Sequence, residues 1–426
     1  MKASSSTRSS SPRRAALSWA FYDWANSPFA TLIVTFVFPA YFATAVVGDQ
    51  MQGQALWGFA MGLSGLVVAI SSPIFGAVAD VTGRRKPWLL AFTLLCAAAS
   101  AGLWWVTPQL SAVPLAIALV VLANWGFETA GVFYNAMLPD VTAPERLGRL
   151  SGWAWGLGYV GGLTALALAL VGLVLPEQPW FGIPKDNAAH VRICGPLVGL
   201  WLLVFSAPLF LWTPDAGVSV SVGSRVKAAL ASLAASLRQL ARMGDVGRFL
   251  LAHMLYADGL ATLFAMGGVF VAGVYGFSLQ EVMLFGIVLN VTAGLGAAGF
   301  AWLDDWFGSR TTILLALAGL LMAGTGVLVA ESRVLVWVMG GALGLFVGPA
   351  QAASRTYLAR MAPPERRTEL FGLFALSGKA TAFLGPLAVG AVTVATNSQR
   401  AGMAVILAFF LVGGLILMGV SEARKG

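Results

Sequence analysis

Gly76-Ala-Val-Ala-Asp80-Val-Thr-Gly83-Arg84-Arg85-Lys86 follows a long apolar stretch, and a shorter copy, Asp305-Trp-Phe-Gly308-Ser-Arg310, follows another 225 residues later, counted from Asp80 to Asp305. An acid three residues before a glycine, with a base just after it, thus recurs at about half the length of a 426-residue chain. Duplication of a bundle of helices leaves such a trace. A basic loop with a glycine turn accounts for Arg84, Arg85 and Lys86. It does not account for Asp80 and Asp305, each three residues ahead of a glycine.

With 58% hydrophobic residues, 10% charged residues and 50 glycines, the chain is too apolar for a soluble globule. The reading is an all-α integral membrane protein of about twelve spans. They are Ala15–Val47, Ala55–Val81, Trp88–Val106, Leu110–Leu138, Leu150–Leu175, Ile193–Trp212, Val246–Tyr275, Glu281–Trp302, Thr311–Ala330, Val334–Ala359, Leu370–Thr396 and Ala401–Val420. Of the 26 Lys and Arg residues, roughly 20 fall on one side, about four on the other and about two inside spans, which places both termini in the cytoplasm. The formal net charge of +8 is therefore mostly a topology signal, with no exposed basic domain for nucleic acid. Cys96 and Cys194 fall within apolar spans, without the spacing of a metal site or a disulfide. Trp57, Trp88, Trp104, Trp105, Trp180 and Trp302 lie near span ends and read as an aromatic belt.

The chain divides into a Ser-rich basic tail (1–14), a six-span half (15–212), a linker (213–245), a second six-span half (246–421) and a short tail (422–426), both tails cytoplasmic. Within the linker, 224–242 sets Leu and Val on one helical face and Arg and Lys on another, the pattern of an amphipathic helix on a membrane surface. The loops before the fifth and eleventh spans also match: Leu138-Pro-Asp-Val-Thr-Ala-Pro-Glu145-Arg146 against Leu358-Ala-Arg-Met-Ala-Pro-Pro-Glu365-Arg366, 220 residues apart. Two independent loop pairs at nearly one offset establish a parallel six-plus-six repeat. In such a repeat Asp80 and Asp305 are suited to pairing with Arg across the bundle or capping a helix N-terminus, and the bases to meeting headgroup phosphates. Gly58/Gly62, Gly152/Gly156 and Gly344/Gly348 put small residues on one helix face, where helices approach and slide.

Three further segments carry a family resemblance. They are Trp19-Ala-Phe-Tyr22-Asp23-Trp24-Ala25-Asn26-Ser27-Pro28-Phe29; Tyr134-Asn135-Ala-Met-Leu-Pro139-Asp140 running into Ser151-Gly152-Trp-Ala-Trp-Gly-Leu-Gly158-Tyr159-Val-Gly161-Gly162; and Gly348-Pro349-Ala-Gln351-Ala-Ala-Ser354-Arg355 followed by Gly372 to Ala380. Together with the Asp80 and Asp305 motifs they resemble the major facilitator superfamily and, within it, the vacuole-effluxer-like branch, whose fungal members are associated with amino-acid export from the vacuole. The resemblance implies a twelve-helix alternating-access carrier, with the first, fourth, seventh and tenth helices lining a central cavity. It implies no substrate.

A charge inside a span costs at least about 2.5 kcal/mol on insertion scales, which marks each one as a functional candidate. Asp23, Glu128, Asp258, Arg355 and Lys379 are such charges, with His253 just before Asp258. Four of the five fall on the four helices that the resemblance assigns to the cavity. At 1.5 Å per residue, Asp23, Glu128 and Asp258 lie roughly 12, 15 and 18 Å from the cytoplasmic helix ends. All three are proton-coupling candidates, Glu128 and Asp23 foremost. Arg355 is suited to clamping a carboxylate or phosphate, with Lys379 as a second positive point and an acid to meet an ammonium group. Mixed signs suit a zwitterion. The alternative is static pairing of the acids with Lys379 or Arg355, and Arg355, five or so residues from its span end, has the option of snorkelling. Tyr22, Asn26, Asn124, Tyr134, Asn135 and Gln351 add uncharged donors and acceptors for a ligand or for bonds between helices. Asp80, Gly83, Arg84, Arg85, Asp305, Gly308 and Arg310 form the gating motif.

The expectation is a monomeric, proton-coupled secondary carrier of a small polar metabolite, an amino acid or similar zwitterion favoured, with export preferred. It would be a multi-pass protein of the bacterial cytoplasmic membrane, partnered by substrate, protons and lipids, with no metal or other cofactor. Two alternatives are a carrier of amphipathic cargo such as a lysolipid or drug, and a non-transporting sensor on a carrier fold. The sequence offers no nucleophile and base set and no nucleotide-binding loop, which speaks against an enzyme or a primary pump.

Overall fold

The computed structural model describes residues 11–215 and 244–422. Hydrocarbon offers the backbone no hydrogen-bond partners, so each apolar stretch must satisfy its amides internally and becomes helical. Twelve helical segments long and apolar enough to cross a bilayer result among the described residues. They are α1 (Pro12–Val47), α2 (Gln50–Val81), α3 (Lys86–Trp105), α4 (Leu110–Ala136), α5 (Pro144–Val174), α6 (Asp186–Trp212), α7 (Gly244–Tyr275), α8 (Glu281–Phe307), α9 (Ser309–Val329), α10 (Arg333–Met361), α11 (Pro364–Thr396) and α12 (Gln399–Met418). The amphipathic stretch 224–242 and the outer parts of both tails lie outside the described residues.

The main departures from the sequence boundaries are instructive. Helix α5 begins at Pro144 rather than Leu150, α8 runs past Trp302 to Phe307, and α11 begins at Pro364 rather than Leu370. Each extension is polar and each is met by groups from the opposite half, so hydropathy alone could not place it. Helix α1 is α-helical to Pro28 and then π-helical over Phe29–Phe36 and Phe42–Val47. Pro28 and Pro39 supply no amide hydrogen, which loosens the regular ladder there.

Helices α1–α6 and α7–α12 form two bundles whose contacts repeat. In the first, α1 packs on α6, α6 on α3, α3 on α4 and α4 on α2; in the second, α7 packs on α12, α12 on α9, α9 on α10 and α10 on α8. The guanidinium of Arg14 lies 3.8 Å from the Trp212 ring centroid, joining the start of α1 to the end of α6, and the Ser421 amide donates to Asp245 at 3.2 Å, joining the start of α7 to the chain after α12. Both bundles thus present their first and last helix ends on one face, here the terminus face.

The bundles meet through α5 on α8 and α2 on α11, with α5 on α10 and α4 on α11 alongside. Glycines make these approaches possible. A Cβ at Gly372 of α11 would fall 2.6 Å from the Ser72 carbonyl oxygen of α2, and one at Gly148 of α5 would fall 2.7 Å from Cβ of Asp304 of α8. Gly152 and Gly156 also face α8. Gly344 and Gly348 pack within their own bundle, and Gly58 and Gly62 face no atom within 4 Å, so of the three spacings noted in the sequence only one serves the bundle interface.

Helix α11 is not continuous. It consists of Arg367–Lys379 and Leu384–Thr396, separated by a turn at residues 380–383. The first segment packs chiefly on α2 of the other bundle, with α4 of that bundle and α7 of its own alongside, and the second packs on α12 and α7 of its own.

Candidate functional site

The two copies of the repeated motif close the terminus face, each in the same way. Asp80 accepts from the amides of Thr368 at 3.0 Å and Glu369 at 2.8 Å, at the start of α11. Asp305 accepts from the amides of Gly148 at 2.9 Å and Arg149 at 3.2 Å, at the start of α5. Helix N-termini leave amides without intrahelical acceptors and carry partial positive charge, so a carboxylate from the opposite bundle satisfies both needs. Flanking bases reinforce the contacts. Arg85 donates to Thr368 Oγ1 at 2.8 Å and to Asp140 at 2.6 Å, and Asp140 also accepts from Arg367 at 2.8 Å. Arg149 donates to Asp305 at 2.8 Å, and Arg360 holds Asp304 at 2.6 Å.

The motif glycines are required by conformation. Gly83 has φ +68° and Gly308 φ +95°, values that a side chain makes unfavourable. The expectation that the motif bases meet headgroups needs correction. Lys86 donates to the carbonyls of Phe210, in the last turn of α6, and Thr213, just after it, while Asp215 accepts from the amides of Arg85 and Lys86. Arg310 donates to the carbonyls of Leu417 and Met418 at the end of α12, while Glu422 accepts from the amides of Arg310 and Thr311. Exposed carbonyls at a helix end draw a cation inward, so these bases tie the third helix of each bundle to the last. Arg310 therefore matches Lys86 in role, and Asp305 finds its cations in Arg149 and Arg360. An acid shortly after α6 and another after α12 was the available signal, and it was missed.

Deeper in, Arg355 of α10 binds three helices of the other bundle. Its Nη1 donates to Asp23 of α1 at 3.1 Å and Asn135 of α4 at 3.3 Å, its Nε to Ser151 Oγ of α5 at 2.9 Å, and its Nη2 to the Ser151 carbonyl at 2.7 Å. The guanidinium carbon lies 5.0 Å from the Trp19 ring centroid and 5.6 Å from those of Tyr134 and Trp155. Arg355 is 3% exposed and does not snorkel. A second pair, Lys379 of α11 to Glu128 of α4 at 2.7 Å, spans the same two bundles and is partly exposed. Among the described residues, every ion pair between the bundles lies in the part of its helices nearer the terminus face, so that face is tied shut.

Residues 43–149 and 142–426 match the family described as vacuole effluxer Atg22 like. The chain belongs to that family. Among its relatives, an MFS-type transporter, YxiO, of Bacillus subtilis (strain 168) is 24% identical over 408 residues, covering 95% of this chain and 94% of that one. Autophagy-related protein 22 of Coccidioides immitis (strain RS) is 23% identical over 460 residues, covering 89% and 75%. The fold matches the human organic anion transporter MFSD10 (TM-score 0.74, 16% identity, 96% and 99% covered) and the proton:xylose symporter XylE (TM-score 0.76, 13% identity, 97% of both). It is thus an Atg22-like transporter of the major facilitator superfamily and a multi-pass membrane protein.

In this Atg22-like chain the expected site residues separate into groups. Asp23, Tyr134, Asn135 and Arg355 converge, and Tyr22 joins them through a ring contact with Tyr134 at 4.8 Å while its hydroxyl bonds Thr93. Glu128 and Lys379 form the second pair. Gln351 accepts from the Tyr159 hydroxyl at 3.0 Å across the bundles, whereas Asn124 bonds Ser64 within one bundle. Asn26 is half-buried on α1 and enters neither group. His253 bonds Ser377 at 2.7 Å and stacks on Phe374 at 3.9 Å. Asp258 stands apart, with no cation paired to it among the described residues. Trp19, Ser151 and Trp155 were not anticipated: aromatic and hydroxyl side chains are common in membrane spans, and only the fold brings them to Arg355.

The two carboxylate caps give a direct prediction. Ser72 is fully buried and its carbonyl abuts Gly372, so Ser72→Cys reports on opening of the terminus face. Losing one cap weakens closure by about 0.5–2 kcal/mol, so Asp80→Ala and Asp305→Ala should each raise alkylation of Ser72→Cys by about two- to thirtyfold. The double variant should multiply the two effects. Labelling at the parent rate in both single variants would refute the capping role.

Proposed function

We propose that this transporter is a proton-coupled secondary carrier of a small zwitterionic metabolite, amino acids foremost, working as a monomer by alternating access. The observation that carries this reading is the pair of ion pairs between the bundles, Asp23 to Arg355 and Glu128 to Lys379, each with its acid in the first bundle and its base in the second. Separating the bundles breaks both, and a charge left buried without its partner is costly. A ligand bearing an ammonium and a carboxylate meets one stranded acid and one stranded base, a proton neutralises the second acid, and the partly exposed Lys379 is left to solvent. The excess of Lys and Arg on the terminus side supports a cytoplasmic position for that face, so the ion pairs tie the bundles on the inner side. The vacuole-effluxer description of the family supports export, here across the bacterial cytoplasmic membrane.

A ligand that binds the folded protein raises its melting temperature. Purified protein is therefore screened by thermal shift against amino acids, dipeptides, sugars, organic acids, nucleosides and lysolipids at two pH values. Stabilisation by a zwitterion, lost in Arg355→Ala, is the expected result. A second reading, amphipathic cargo, is favoured by a cavity of about 330 Å³ between α1, α5 and α6, with Leu32, Leu173, Leu197, Trp201 and Phe205 in its lining. Stabilisation by lysolipids alone would select that reading and reject the zwitterion.

A further inference from the structure

The break in α11 has an unexplained neighbour. Asp258 of α7 is 2% exposed, and neither carboxylate oxygen has a well-formed hydrogen bond, the Gly385 amide and the Thr262 hydroxyl being the donors that approach them. The Thr262 hydroxyl donates instead to the Asp258 main-chain carbonyl at 2.8 Å. A Cβ built on Gly385 would lie 2.9 Å from Asp258 Oδ1, which places the carboxylate against the first turn of the Leu384–Thr396 segment. That turn has few donors to offer. The Leu384 amide is engaged with the Thr381 carbonyl at 2.7 Å, and Pro386 has no amide hydrogen, which leaves Gly385.

The charged groups of the helices packed on α7 are committed elsewhere. On α11, Lys379 holds Glu128; on α10, Arg355 holds Asp23; on α8, Glu281 pairs with Arg333. On α7 itself, His253 bonds Ser377, and Tyr256 bonds Ser354. From α12, Phe409 and Phe410 pack beside Gly259, the next residue along α7, and Arg400 reaches the Leu328 and Ala330 carbonyls. A carboxylate so enclosed needs a proton, a metal cation or a helix terminus as its partner. The positive end of a helix repels a metal cation and attracts a carboxylate, so the first and last of these fit this place.

We propose that Asp258 is a proton-binding site, separate from the two ion pairs between the bundles, and that its charge state sets the break in α11. Ionised, it holds the N-terminus of the outer segment in the broken geometry, and the inner segment stays docked on α2 and α4 of the other bundle. Protonated, it loses that attraction, the outer segment moves, and the inner segment leaves α2. The turn at 380–383 is the hinge because the two segments of α11 pack chiefly on different bundles.

This inference rests on the reading that the terminus face opens and closes, but its test requires neither substrate nor flux, so its failure leaves the carrier reading standing. The full chain carrying Ser72→Cys, with Cys96→Ala and Cys194→Ala, is reconstituted in liposomes. Alkylation is measured at pH 8 and pH 5.5, each rate divided by that of the same protein opened with SDS at that pH. Acidification is expected to raise relative labelling about tenfold, the order set by a carboxylate at a helix terminus. In Asp258→Asn the rate should be high and equal at both pH values. Pro386→Ala restores an amide to the first turn and should move the rise to lower pH, and it gives a readout should Asp258→Asn fail to fold. An unchanged rise in Asp258→Asn, or an unmoved one in Pro386→Ala, overturns the proposal. So does a change in labelling on adding sodium at pH 8 that Asp258→Asn abolishes, which would make the site one for a metal cation.

Discussion

Arg355→Ala is expected to abolish transport and to unseal the terminus face. The guanidinium is the single group that ties α10 to α1, α4 and α5 at once, and its removal leaves Asp23 buried without a cation. Breaking a buried pair from one side costs about 3–5 kcal/mol, which moves the balance between closed and open forms by roughly 10²–10³-fold. Alkylation of Ser72→Cys reads that shift, and flux in liposomes reads the loss of transport. Removing Asp23 as well, in Asp23→Ala with Arg355→Ala, should restore much of the closure, because the uncompensated charge is gone, but not the flux. Closure at the parent level in Arg355→Ala alone would show that the residue is a bystander.

Gly372→Leu should be nearly as damaging, for a steric reason rather than an electrostatic one. Its Cβ would meet main-chain atoms of Ser72 and Pro73 at 2.6 Å, and main chain cannot rotate aside. Overpacking of this kind costs about 1–3 kcal/mol, here charged entirely to the closed form, because the contact exists only while α11 lies on α2. The variant should hold the terminus face open and stop turnover. Gly58→Leu is the matched control, since nothing lies within 4 Å of a Cβ there, and it should behave as the parent. Equal effects at the two positions would mean that helix propensity or insertion, not the α2–α11 contact, is responsible.

The contrast between Gly58 and Gly372 also shows what the sequence carried. Spans, repeat and motif were legible because hydropathy is a property of single segments and the two offsets, 225 and 220, are visible without coordinates. What could not be read is that the two repeats are partners. Asp80 of one repeated loop caps the helix that follows the other, and Asp305 returns the contact. The charged candidates were legible for a similar reason, since a charge in an apolar span stands out. Their pairing was left open by the sequence, because Asp23 and Arg355 are 332 residues apart. That Gly372 is the point where α11 lies on α2 could not be read, since a chain with 50 glycines offers many equivalent spacings. The break in α11 was hidden by its own hydrophobicity: residues 380–383 are as apolar as their neighbours, and only Gly385 and Pro386 mark it.

The two carboxylate caps sit on helix pairs, α2 with α11 and α5 with α8, that have no member in common. Two separate anchor points define a line, and a body fastened at two points cannot twist about either. Release of one cap loosens one end of that line and lets the helices part more often there while the other cap still holds, and loss of both multiplies the two effects. Duplication of the half-molecule thus did more than double the number of spans: it converted a swivel into a rocker with a defined axis.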